Sequence, residues 1–138
     1  MKGEIVINTM ESEKKLLILV DDSLTNLKIG RNVLSERYDI ATLPSAEKMF
    51  KFLEGRYLAD RSPSMILLDI DMPEMSGFQA IKILKSKPKT RDIPVIFLTA
   101  STKSDDKNEG FSLGAIDYIT KPFNPSSLLN RIEAVLNA

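Results

Sequence analysis

From about residue 15 onward, short continuous apolar runs alternate with segments in which apolar residues recur every three or four positions. LLILV (16–20) is uninterrupted and rich in branched residues, the pattern of a strand buried on both faces. From Leu24 the period lengthens, and Leu27, Gly30, Val33 and Leu34 share one helical stripe. YDIAT (38–42) predicts a shorter, alternating strand. Ala46, Met49, Phe50 and Leu53 mark a second helix, with Gly55 where a C-terminal cap belongs. MILL (65–68) is another buried strand, followed by a helix carrying Phe78, Ile81 and Leu84 that KSKPKT stops. PVIFLT (94–99) opens on a proline, which a strand's first residue tolerates. The segment 105–112 is charged and has little apolar surface beyond Phe111. AIDYI (115–119) predicts the last strand. Asn124 and Pro125 have the character of N-cap and first residue of a final helix, whose stripe is Leu128, Leu129, Ile132, Val135 and Leu136.

Five successive βα units predict an α/β domain: a doubly wound parallel sheet covered by helices on both faces, with right-handed crossovers. In such sheets ligands sit beyond the carboxyl ends of the strands, where strand order reverses. Residues 1–14 read as a polar leader with at most one loose β segment, because the patch Ile5 to Ile7 is too short for a secretory signal. No apolar run reaches the length of a membrane span. Nineteen basic and nineteen acidic residues cancel, so nothing in the charge points to nucleic acid or to an anionic membrane surface. Cysteine and histidine are both absent. Disulfides and thiolate or imidazole metal sites are thereby excluded, a reducing, cytoplasmic setting fits, and any metal must be held by oxygen.

The strand ends carry the candidate chemistry. The first long strand ends in Asp21 and Asp22, the third in Asp69 with Asp71 two residues on, the fourth in Thr99, and the fifth runs into Lys121. Each has an ordinary reading: Asp21-Asp22-Ser23 as a helix cap, Thr99 as a strand-end hydroxyl, Lys121 as a surface lysine. Together in one crevice, Asp21, Asp22 and Asp69 would repel, two charges at ~4 Å costing about 4 kcal/mol at an effective dielectric near 20. Lys121 offsets part of this, and a hard divalent cation such as Mg2+ would offset the rest. A metal and a lysine flanking a carboxylate form a clamp for a phosphoryl group, with the carboxylate as nucleophile and an aspartyl phosphate as product.

The motifs LILVDDS, LLDIDMPEMSG, IFLTA and GAIDYITKPF, in this order at these strand ends, resemble the receiver domain of bacterial response regulators over residues 15–138. The resemblance implies a flavodoxin-like (βα)5 fold with the five strands in the order 2-1-3-4-5. It implies Asp69 as phosphoacceptor, Asp22 as direct Mg2+ ligand, Asp21 as a ligand mainly through water, and the Asp71 backbone carbonyl as a further ligand. Lys121 would contact the phosphoryl group, Thr99 would be the switch hydroxyl and Tyr118 the switch aromatic. Ala100 would leave space near the phosphoryl group, and the Lys121–Pro122 bond would be cis. Asp71 and Ser101 occupy positions that tune phosphoryl lifetime. The implied donor is a phosphohistidine on a sensor histidine kinase or a histidine phosphotransfer protein. The implied output is an output domain or target protein engaged through the 105–136 face, with no direct nucleic-acid or membrane binding.

Two other readings make distinct predictions. An Mg2+-dependent phosphatase with an aspartyl nucleophile would use Asp69 and Asp71 as nucleophile and acid/base, but the chain lacks a substrate-selecting cap. A flavodoxin-like cofactor binder needs a Ser/Thr/Gly phosphate loop at the first strand tip, where two carboxylates stand instead.

Overall fold

Every apolar run of strand length enters one sheet. The computed structural model describes residues 5–6, 14–55, 61–100 and 104–137. In chain order the elements are β1 (Ile5–Val6), β2 (Leu16–Val20), α1 (Leu24–Leu34), β3 (Asp39–Leu43), α2 (Ala46–Glu54), β4 (Met65–Asp69), α3 (Gly77–Ser86), β5 (Val95–Thr99), α4 (Ser104–Ser112), β6 (Asp117–Thr120) and α5 (Pro125–Leu136). The strands lie in the order β1-β3-β2-β4-β5-β6. The five from β2 to β6 are parallel, in the second-first-third-fourth-fifth order implied by the resemblance. β1 adds an antiparallel edge, pairing Ile5 with Ala41 and Val6 with Ile40. The loose segment expected in the leader is thus two residues of sheet edge, and the rest of 1–13 lies outside the described residues, as does Ser101.

The uninterrupted apolar runs follow from burial on both faces. Because side chains alternate across a strand, Ile66 and Leu68 of β4 join the core beneath α2 and α3, with Met49, Phe52, Ile81 and Leu84. Leu67 points the other way and packs with Leu27 and Leu34 of α1 and Leu128 and Ile132 of α5. Four helices start on side-chain caps. Ser23, Ser45, Ser76 and Asn124 each accept the backbone N–H three residues on, and Gln79 completes a capping box with Ser76. Each such cap contributes about 1 kcal/mol. Gly55 does cap α2, but in an extended conformation rather than a left-handed one.

The last strand starts two residues later than the apolar pattern suggests. Ala115 N–H is committed to the Gly110 carbonyl (3.0 Å) and Gly114 N–H to that of Phe111 (3.1 Å), with Gly114 at φ +111°. This Schellman closure of α4 takes the Ala115 N–H away from the sheet. The Lys121–Pro122 peptide is cis.

Candidate functional site

β2 and β4 are neighbours in register, Val20 beside Leu68, so the residues after them emerge together at one edge of the sheet. There the carboxylates of Asp21, Asp22 and Asp69 each place an oxygen within 4.8 Å of the others. Asp21 and Asp69 are buried and Asp22 is exposed. Lys121, delivered from beyond β6, sets its Nζ 2.7 Å from Asp21 Oδ2 and 3.2 Å from Asp69 Oδ1. Four of the residues singled out in the sequence therefore converge on one point.

Asp21 also supports the helix start, as the ordinary reading of the Asp-Asp-Ser stretch expects. Its Oδ1 accepts the Ser23 backbone N–H at 2.9 Å, and its Oδ2 accepts the Asn26 amide at 3.3 Å. Asn26 escaped the sequence reading. The signal available was an amide on the first turn of α1, within reach of the strand tip that precedes the cap.

Burial is the main reason that the Asp69 carboxyl is raised to about 7. The neighbouring charge of Asp21 adds to this, while Lys121 and the Asp71 backbone N–H oppose it. That N–H lies 3.3 Å from Asp69 Oδ1, whereas the Asp71 side chain is exposed. Burial alone would lower Lys121, but its hydrogen bond to Asp21 and the charges of Asp21 and Asp69 outweigh burial and leave it raised. The ammonium therefore stays charged. Among the described residues one cation stands against three carboxylates, so the charge of Asp21 adds to burial in keeping Asp69 raised. An all-oxygen donor set, buried at two carboxylates and open at the third, fits a hard divalent ion that keeps some of its waters.

The loop after Asp69 is tightly shaped. Met75 N–H donates to the Pro73 carbonyl at 2.8 Å across Glu74, whose φ is 70°. This γ-turn places a non-glycine residue in a strained region. Gly77 packs against the strand end, where a Cβ would stand 2.5 Å from the Asp69 carbonyl oxygen. Thr99 ends β5 fully buried, and its carbonyl accepts the Lys121 N–H at 2.8 Å. Ala100, directly after it, is exposed. Tyr118 is buried beneath α4.

The acidic cluster and its lysine thus stand at the switch point of a parallel doubly wound sheet, where such sheets bind their ligands. Residues 17–133 match the family model described as "Response regulator receiver domain". The chain belongs to that family, the receiver domains of two-component signalling. It is 48% identical over 122 residues to the phosphate regulon transcriptional regulatory protein PhoB of Pseudomonas aeruginosa, covering 88% of this chain and 52% of that protein. It is 38% identical over 120 residues to a probable cyclic di-GMP phosphodiesterase of Vibrio cholerae, covering 87% of this chain and 26% of that protein. Among solved structures, a putative response regulator from Chloroflexus aurantiacus superposes with a TM-score of 0.82 at 28% identity, covering 91% of this chain and all of that one. The chain thus spans between about a quarter and a half of these two curated relatives. Receiver domains of this family act as phosphoacceptors, and the phosphatase alternative is not favoured. Among the described residues no helix is long and apolar enough to cross a membrane.

Proposed function

We propose that the chain accepts a phosphoryl group on Asp69 from a phosphohistidine of a sensor histidine kinase or histidine phosphotransfer protein. The observation that carries this reading is Lys121 bridging Asp21 and Asp69 beside Asp22. An Asp69 carboxylate oxygen attacks phosphorus, the bond from phosphorus to the donor imidazole breaks, and the imidazole leaves with the electron pair. Lys121, held charged by two carboxylates, transfers part of its attraction to the phosphoryl oxygens as negative charge gathers there. Asp22, Asp69 and the Asp71 carbonyl would hold Mg2+, with Asp21 acting mainly through water. Bound there, the ion would neutralise charge on the carboxylates and phosphoryl oxygens.

The chain thereby catalyses its own phosphorylation and dephosphorylation and turns over no separate substrate. Thr99 is the hydroxyl that senses the phosphoryl group, and Tyr118 is the aromatic that relays it. The surface formed by residues 105–136 engages an output domain or target protein. Residues 15–138 form the receiver, 1–14 are its leader, and a cytoplasmic location suits the donor chemistry.

With acetyl phosphate and Mg2+, the protein is expected to gain one hydroxylamine-labile phosphoryl group, and excess EDTA is expected to stop the reaction. Labelling that proceeds unchanged in EDTA would contradict the metal assignment. Sustained hydrolysis of a generic phosphomonoester would favour the phosphatase instead.

A further inference from the structure

Tyr118 lies under α4 rather than outside it. The phenol donates to the Asp106 carbonyl at 2.6 Å, and only 5% of the residue is exposed. Its ring meets Phe97 of β5 at 5.6 Å between centroids and Phe111 of α4 at 5.2 Å. The space that the ring fills exists because residue 110 has no side chain. A Cβ on Gly110 would stand 1.8 Å from the Tyr118 hydroxyl oxygen, 2.7 Å from its Cζ and 3.0 Å from Phe97 Cδ2. None of these is a backbone atom, and the two nearest belong to the Tyr118 side chain, so the tyrosine ring is the part that would have to move.

Gly110 carries a cost that needs an explanation. A glycine inside a helix is less favourable than alanine by about 1 kcal/mol. α4, with the sequence SDDKNEGFS, has little apolar surface to compensate locally. What the missing side chain admits is an aromatic ring with a buried hydrogen bond and two ring contacts. Phe111, next in the chain and 48% exposed, continues the aromatic contact to the surface of α4.

We propose that Gly110 is the positioning residue that keeps Tyr118 in its inward rotamer, so that the inward arrangement is the resting state before any phosphoryl group arrives. The functional consequence rests on the reading of Tyr118 as relay, while the positioning itself does not. The outer edge of Phe111 reports the tyrosine's position to whatever packs on α4.

The test uses the full unphosphorylated chain labelled with 3-fluorotyrosine, which has three tyrosines, Tyr38, Tyr57 and Tyr118. Tyr118→Phe assigns the Tyr118 fluorine resonance. In the wild type this resonance should resist broadening by a soluble paramagnetic agent. In Gly110→Ala it should shift and broaden strongly, with the Tyr38 resonance unmoved. A double-mutant cycle in urea supplies a second readout. Gly110→Ala should lower the unfolding midpoint when Tyr118 is present. In a Tyr118→Leu background it should raise the midpoint, because alanine is the better helix former and no phenol opposes it. If Gly110→Ala alone does not fold, recovery of folding in Gly110→Ala/Tyr118→Leu supports the assignment, and failure to recover overturns it. A midpoint change of the same sign in both backgrounds, or a Tyr118 resonance indifferent to Gly110→Ala, would also overturn it. Both readouts are taken without a phosphoryl donor, so they decide the role of Gly110 whatever the labelling experiment returns.

Discussion

Lys121→Ala is expected to slow phosphoryl transfer from acetyl phosphate to Asp69 by about 10²-fold or more, the loss typical when a preorganised charge at a reacting centre is removed. The lysine is the protein's own cation at the cluster, 2.7 Å from Asp21 and 3.2 Å from Asp69, and largely shielded from solvent. In the proposed attack by Asp69, charge from its carboxylate would spread onto the phosphoryl oxygens. A fixed ammonium follows that charge without waiting for solvent to reorganise. Removing it also leaves two buried carboxylates facing each other, which makes the charged form of Asp69, the nucleophile, harder to reach. The variant should therefore label slowly even in saturating Mg2+, and raising the pH should recover only part of the rate. Initial labelling rates followed by intact mass would check this. A Lys121→Ala protein that labels at the wild-type rate would remove the lysine from the chemistry.

Without metal, Asp69→Asn is expected to be more stable than the wild type at about pH 8, with the difference closing near pH 4. Asp69 titrates at about 7 in the folded protein, against 3.8 as its ordinary value. Between those values the folded state keeps a proton that the unfolded state has released. The contribution of Asp69 to stability is therefore most favourable below about pH 4, falls as the pH rises, and carries its full penalty above about pH 7. At about 1.4 kcal/mol per unit the penalty is at most about 4 kcal/mol. The asparagine removes both the titration and the repulsion from Asp21. Mg2+ should raise the wild-type urea midpoint at pH 8 and have less effect at pH 4, where Asp69 is protonated. A metal-free Asp69→Asn protein less stable than wild type at pH 8 would contradict the electrostatic account. A stabilised but non-functional variant is the expected signature of a site whose charge is kept for chemistry.

The parts of this arrangement legible in the sequence share a physical cause. β2, β4 and β5 are buried on both faces, so LLILV, MILL and PVIFLT stand out as unbroken apolar runs. Because those runs end abruptly in Asp21, Asp69 and Thr99, the strand tips, and with them the site, follow from the same pattern. What the pattern could not carry depends on contacts between distant elements. β1 is two residues long and exists through its antiparallel pairing to β3. Ala115 is kept out of β6 by the hydrogen bond that closes α4, whatever its apolar character. Asn26 joins the site through its reach to Asp21. Gly110 reads as a weak point in a charged helix until Tyr118 is seen in the space beside it.

Mapping the phosphoryl group would show whether Asp69 is the acceptor. The protein would be labelled with acetyl phosphate and Mg2+, the acyl phosphate trapped by borohydride reduction, and the digested peptides sequenced by mass spectrometry. Reduction to homoserine is expected at residue 69 alone, within the peptide carrying MILLDIDMPEMSG, with no trapped product in Asp69→Asn. Trapping at Asp21, Asp22 or Asp71 in the wild type, or undiminished labelling of Asp69→Asn, would contradict that assignment.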